Sequence, residues 1–167
     1  MKAPVQIALL LAVSLGSFPL RADSPRVAPA DRKQFSLNHR FFLLSKLKER
    51  GTWVFAAKNP STPLWQIPVY IGNPEISNDG TTVAAIYEGG NILDASVKPG
   101  EPLVTLYDSH SKKRVYTVGE VAGDTSKLRR TTSGFLWERD MYFDGANRFR
   151  IVLDNGKTIS LDMTGAH

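Results

Sequence analysis

Cysteine is absent from the 167 residues. No disulfide can staple the fold, so it must rest on its hydrophobic core. No thiolate zinc or iron–sulfur site can be built, and lipid attachment through a Cys behind an export signal is excluded. Histidine is almost as scarce, with only His39, His110 and His167. They form no His-Glu-Xaa-Xaa-His motif and no pair at helical spacing, and no Gly-Xaa-Ser-Xaa-Gly elbow accompanies them. Ser109-His110 falls in an expected hairpin turn, where adjacency in sequence does not make a serine–base hydrogen bond. There is no EF-hand loop. Gly89-Gly90-Asn91 runs into Ile92-Leu93-Asp94 with no Lys-Ser or Lys-Thr behind it, so it is no phosphate loop. No catalytic residue, metal or cofactor is therefore assigned. Asn78, Asp79, Asp144, Asp154 and Asn155 could imitate oxygen ligands for a calcium ion shared by two turns, but each sits where a tight turn wants Asn or Asp anyway.

Long apolar runs are also missing beyond the N-terminus. There, Lys2 supplies a positive start, Val5 to Leu15 is apolar apart from Gln6 and Ser14, and Gly16 and Pro19 break the run before Ala22. This is the layout of a secretory signal peptide over residues 1–22, with Leu20-Arg21-Ala22 as the cleavage triplet. The run is short for a span, which needs roughly 20 residues; an uncleaved anchor is the alternative. An exported chain without Cys suits a bacterial periplasm or exterior, and no membrane span is expected after cleavage. Removing Lys2 and Arg21 with the signal leaves 19 basic and 16 acidic residues, a net +3 in place of +5. That balance is ordinary for solubility and gives no reason to expect nucleic acid.

Residues 23–34 are rich in Pro and charge and read as a flexible leader. Residues 35–163 read as one domain and 164–167 as a disordered tail. Within the domain, short runs of aromatic and β-branched residues alternate with turn chemistry. Arg40–Leu47 and Thr52–Ala57 form a hairpin. Leu64–Ile71 is a strand that Pro68 marks as an edge or a bulge. Asn78-Asp79-Gly80 turns into Thr81–Tyr87, and a loop spans Glu88 to Glu101. Leu103–Asp108 and Arg114–Val118 pair, as do Gly134–Phe143, Arg148–Leu153 and Thr158–Met163. Asn155-Gly156 suggests a type I′ turn, and 119–128 has room for one short helix. In 148–163, Phe149, Ile151, Leu153, Ile159, Leu161 and Met163 point one way and Arg148, Arg150, Ser160 and Asp162 the other, which predicts a sheet wetted on one face. The expected class is all-β: an antiparallel meander of about eight to nine strands, blade-like or a two-sheet sandwich, with at most one short helix.

Phe35–Phe42 can be laid over Ile76–Val83 at an offset of 41 residues, a propeller-blade spacing. Ser77-Asn78-Asp79-Gly80-Thr81-Thr82-Val83-Ala84 resembles the Ser-Xaa-Asp-Gly repeat of bacterial blades, and Leu106-Tyr107-Asp108 resembles their strand end. Together with Asn38-Xaa-Arg40-Phe41 and Leu64-Trp65, this order resembles a group of uncharacterised exported bacterial proteins with β-propeller-like repeats. The resemblance implies a fold and no chemistry. His39 departs from it, standing where the turn Gly would sit.

Three readings of function follow. The first is a non-enzymatic exported domain that binds a protein or an anionic envelope polymer through loops, with Trp65, Tyr87, Asn91, Lys112, Arg129 and Arg130 as binding residues. Basic clusters at 46/48/50, 112–114 and 127/129/130 fit that reading, or serve to keep sheet edges apart. Trp53, Trp65 and Trp137 are an aromatic platform or core. The second is a hydrolase of glycan or cell-wall material working through Glu138/Asp140, which would share one strand face, or Glu88/Glu101; Glu75 is a further carboxylate away from turns. The third is a structural subunit whose unpaired edges join copies. The sequence sets no oligomeric state.

Overall fold

The computed structural model describes residues 28–165, and across them the alternation seen in sequence becomes fourteen short strands in four antiparallel sheets. The signal peptide expected at 1–22, residues 23–27 and the last two residues lie outside the described residues. The first sheet runs β1 (Arg32–Phe35), β2 (Phe41–Lys46), β3 (Gly51–Ala56), β4 (Asn59–Ile67) in chain order. The second holds β5 (Pro74–Ile76), β6 (Thr82–Ile86), β8 (Pro102–Asp108) and β9 (Lys113–Thr117). In the third, β11 (Gly134–Leu136) lies between β10 (Arg129–Arg130) and β7 (Ile92–Asp94), and the fourth is the meander β12 (Glu138–Phe143), β13 (Phe149–Leu153), β14 (Thr158–Leu161). The class is all-β. Its helical content is α1 (Val118–Val121) and a 3-10 turn at Thr125–Lys127. A capping box closes α1: Glu120 N donates to the Thr117 hydroxyl, and Thr117 N donates to the Glu120 carboxylate.

Two cores hold the sheets together. Leu43, Val54, Ile67, Ile71, Ile76 and Val83 pack between the first and second sheets. Leu93, Leu103, Leu106, Trp137, Phe149, Ile151 and Leu161 anchor the larger core, which the second, third and fourth sheets share. Each such side chain contributes roughly 1.5–3 kcal/mol by leaving water, and with no disulfide this burial carries the fold.

The strand count exceeds the expected eight or nine because four segments read as loop or leader pair after all. Arg32 to Phe35 pair with Ser45 to Phe42, so ordered structure begins inside the expected leader. Residues 28–31 are tied down as well: Tyr70 Oη donates to Ala30 O at 2.8 Å and Leu47 N to Asp31 Oδ1 at 2.9 Å. The long loop 88–101 contains β7, which pairs with β11, and β5 and β10 were not anticipated. Strand 134–143 is interrupted at Trp137, whose N–H and C=O turn aside to Asn91 O and Asp154 N. β4 begins earlier than expected, at Asn59, and stops at Ile67 before Pro68, on the sheet edge as Pro requires. Thr164 and Gly165 belong to a turn capped by Asp162 Oδ1.

The hairpin turns share one device. At 108–112, 144–148 and 153–157 the first residue's N–H donates to the fifth residue's C=O, and the fourth residue's N–H donates to the first residue's C=O. The fourth residue, Ser111, Asn147 or Gly156, has positive φ. Asn155 does not, so the Asn-Gly turn is a three-residue loop with a glycine bulge and not type I′. The turns 36–41 and 77–82 carry the same bonds as each other, 41 residues apart. Ser36 N donates to Phe41 O and Ser77 N to Thr82 O, and each serine hydroxyl accepts the returning N–H, from Phe41 or Thr82. His39 (φ +56°) takes the left-handed position that Gly80 (φ +73°) takes in the other turn. The wetted face expected over 148–163 is only partly wet: Ser160 is 3% exposed, and Arg150 is half-buried against Asp144 at 2.8 Å.

Candidate functional site

A cleft of about 530 Å³ opens where the first two sheets meet. Glu75 of β5 lines it, faced by Arg32, Lys33 and Gln34 of β1. Tyr70, Gly72, Asn73 and Pro74 form a second wall, Glu88-Gly89-Gly90 a third, and Ala28 and Pro29 one rim.

Local bonds place each wall. The Thr52 hydroxyl, itself 2.9 Å from the Ser45 hydroxyl, donates to Val69 O at 3.0 Å and so fixes the segment carrying Tyr70. Ile86 N donates to Asn73 O at 2.9 Å, closing the same segment onto β6. The loop bearing Glu88 is held from the core, since Trp137 Nε1 donates to Gly90 O at 2.9 Å. Both loop glycines are required. Gly90 has φ +65°, and a side chain on Gly89 would run into the Tyr87 ring and Ile92 O. On the facing wall, a Cβ on Gly72 would lie 3.0 Å from Glu88 Oε1, so that carboxylate rests over a gap only glycine leaves open.

The electrostatics centre on Glu75. Gln34 Nε2 donates to both of its carboxylate oxygens, each at 3.2 Å. Burial pushes its pKa up to about 7; the Gln34 bonds oppose this and the charge of Asp140 adds to it. Near neutrality Glu75 is thus divided between donor and acceptor forms. Lys33 lends the cleft its stem, while its ammonium lies over the rings of Phe35 and Phe42, at 4.9 and 4.6 Å from their centroids.

A second, smaller hollow of about 370 Å³ lies among turns of three sheets, lined by Arg40, Phe41, Asn78, Asp79, Gly145 and Asn147. Several of its polar groups bond across the turns, although Asn147 Oδ1 is buried without a hydrogen-bond partner among the described residues. Asn38 N donates to Asn78 Oδ1 and Asn38 Nδ2 to Asn78 O, while Asn147 Nδ2 donates to Asp79 Oδ2 at 2.8 Å. Two further carboxylates considered as calcium ligands, Asp144 and Asp154, hold Arg148 and Arg150, and Arg129 and Arg139, respectively. Against the upward push of partial burial, the backbone N–H of Arg148, the Arg150 guanidinium and the backbone N–H of Ala146 hold Asp144 down to about 2.

The residues expected to bind do not converge. Trp65 is half-buried and donates from Nε1 to Gly80 O at 2.8 Å, pinning the 77–82 turn. Tyr87 packs on the larger core. Asn91 is half-buried beside Gly90, its Oδ1 without a hydrogen-bond partner among the described residues. Lys112 is exposed at a hairpin tip, and Arg129 and Arg130 are exposed on β10, with Arg129 on Asp154 at 3.1 Å. Tyr87 and Asn91 flank the cleft loop in sequence. Of the tryptophans, Trp137 is fully buried core, and Trp53 is half-buried with Lys46 Nζ 5.5 Å from its ring.

The two expected acid pairs dissolve. A bulge in β12 sets Glu138 opposite Leu153 but Asp140 opposite Val152, so the two carboxylates fall on opposite faces, Glu138 buried and Asp140 exposed. Glu101 takes the N–H of Lys98 within its own turn and is no part of the cleft, whereas Glu88 is. The other carboxylate that lines this cleft is Glu75. Sequence named it only as an available carboxylate, because its environment is made by Gln34, 41 residues away. Compared with family models, curated proteins and solved structures, the chain matches none of them.

Proposed function

We propose that the protein is an exported, non-enzymatic binding domain whose cleft between the first two sheets takes a segment of an envelope polymer bearing hydroxyl, amide and carboxylate groups. One observation carries this reading: a cleft of about 530 Å³ whose lining gathers polar groups of both charges, Glu75, Gln34, Arg32, Tyr70 and Glu88. A peptide-bearing glycan presents that mixture; a nucleic acid would call for cations alone. The binding surface differs from the residues favoured by sequence, and takes from the expected loop 88–101 only Glu88 to Gly90. Soluble peptidoglycan fragments titrated into the protein provide the test. Binding that Arg32→Ala and Glu88→Gln weaken at least tenfold supports the reading, and the absence of any binding sinks it.

The raised pKa of Glu75 favours a second reading, in which Glu75 acts as general acid and Glu88 as base toward a glycosidic bond. Release of reducing ends that Glu75→Gln abolishes would establish it in place of the first.

A further inference from the structure

The first sheet has two faces, and only one contributes side chains to the two cores. Alternation along the register puts Leu43, Val54 and Ile67 on the inner face, in the core shared with the second sheet. The outer face then carries Lys33 and Phe35 on β1, Phe42, Leu44 and Lys46 on β2, and Trp53 and Phe55 on β3, with Gln66 and Pro63 opposite the last two on β4 and the exposed Leu64 at the register shift between them. None of these belongs to either core. They cover one another instead: the Phe42 and Phe55 rings stack at 5.0 Å and Phe35 leans on Phe42 at 5.6 Å. Of these, Phe35 (39% exposed) and Leu64 (56%) stand out in water, as do Leu37 (74%), Leu47 (40%) and Val69 (42%) in the segments that follow β1, β2 and β4. These are five of the seven large hydrophobic side chains exposed among the described residues.

Charge is segregated onto the same sheet. Residues 32–67 hold seven basic side chains and one acidic, Glu49, whereas 68–165 hold eleven basic and thirteen acidic. Glu49 engages Lys46 at 2.9 Å. Arg40, Lys48, Arg50 and Lys58, at the two ends of the sheet, have no ion-pair partner among the described residues. By contrast, Arg129, Arg139, Arg148 and Arg150 are each held by Asp154 or Asp144. An apolar face framed by unneutralised cations is complementary to a surface that is greasy inside and anionic outside. A second copy would bring like charge onto like charge, and a soluble polyanion would gain nothing from exposed leucines.

We infer that the outer face of the first sheet docks on an anionic lipid bilayer, with Leu37, Leu64 and Phe35 entering the interface and Arg40, Lys48, Arg50 and Lys58 meeting lipid phosphates. This goes beyond the polymer-binding cleft and does not depend on it. Attachment by one sheet leaves the other three facing away from the membrane.

The test is vesicle flotation of the protein in the form its expressing cells accumulate, its first residue read by mass spectrometry. Vesicles of phosphatidylcholine alone are compared with vesicles in which roughly a third is phosphatidylglycerol. The expected result is partitioning onto the anionic vesicles only, weakening with salt. Lys48→Gln and Lys58→Gln, both exposed and unbonded, should each lower partitioning about fivefold, and Leu37→Ser with Leu64→Ser should lower it further. Lys112→Gln with Arg130→Gln, outside this sheet, should change it little. Equal partitioning onto both vesicle types, no partitioning at low salt, or equal losses from the Lys112/Arg130 pair would overturn the assignment. So would anionic binding indifferent to the leucine changes and fully competed by dextran sulfate, which would mark a polyanion site. A dimer in sedimentation that Leu64→Ser dissociates would show a second copy on the face instead.

Discussion

Gln34 and Glu75 join the first two sheets through a forked contact, one amide nitrogen serving both carboxylate oxygens at 3.2 Å. The fork favours the ionised acid and burial favours the neutral one; burial prevails, leaving the pKa at about 7 against an ordinary 4.5. A native pKa above the unfolded one means that the folded state holds the extra proton between those values. This group's penalty is therefore absent below about 4.5 and grows as pH rises through about 7, to about 3 kcal/mol. Glu75→Gln removes the penalty, so urea midpoints of variant and wild type should coincide near pH 4 and separate by pH 8, the variant being the more stable. Midpoints that stay parallel across that range would mean Glu75 is ionised in the fold.

Asp144 works in the opposite direction. Its pKa of about 2 lies below the ordinary 3.8, so its contribution is complete above about 4 and is lost as pH falls through 2. Asp144→Asn should destabilise the protein at neutral pH by releasing Arg148 and Arg150, and should make the acid limb of a thermal-stability profile shallower. An unchanged acid limb would contradict this.

His39 and Gly80 occupy the same left-handed position in turns with matching bonds, but only glycine does so without strain. His39→Gly should stabilise by about 0.5–1 kcal/mol, the relief of strain exceeding the added chain entropy and the lost ring contact with Phe35. Gly80→Ala should do the reverse and cost more, because its Cβ would enter the Phe41 ring. Denaturation of the two single variants measures both, and a destabilised His39→Gly would show the ring contact to dominate.

Trp137→Phe keeps an aromatic ring in the larger core but removes the N–H held by Gly90 O. The expected cost is about 2–3 kcal/mol, with faster amide exchange concentrated at 88–92. Uniform exchange changes across the chain would argue against a specific hold on the loop that carries Glu88.

The sequence revealed elements whose signals are local. The hairpin β2–β3, the pair β8–β9 and the meander β13–β14 were legible because alternation and turn residues sit side by side. Strands β1, β5, β7 and β10 were not, since two to four residues are too few to show a period, and the partner of β7 lies some forty residues downstream. The cleft was hidden for the same reason. Gly72 and Glu88, and Gln34 and Glu75, meet only through tertiary packing, while Trp65 and Arg129 looked available and turned out to be engaged with Gly80 O and Asp154. The bulge at Glu138 illustrates the limit of counting by twos: one extra residue reverses the side to which every later side chain points.

The borrowing of β7 by β11 has a consequence for how the polypeptide assembles. Residues 32–67 contain every strand of their own sheet and can close by successive hairpins as soon as they emerge from the ribosome or a translocation pore. Ile92–Asp94 must wait, unpaired, for a partner some forty residues downstream. Until that segment arrives, Leu93 has no shelter and the Glu88 loop no anchor, so the cleft is finished late although one of its walls is laid down first.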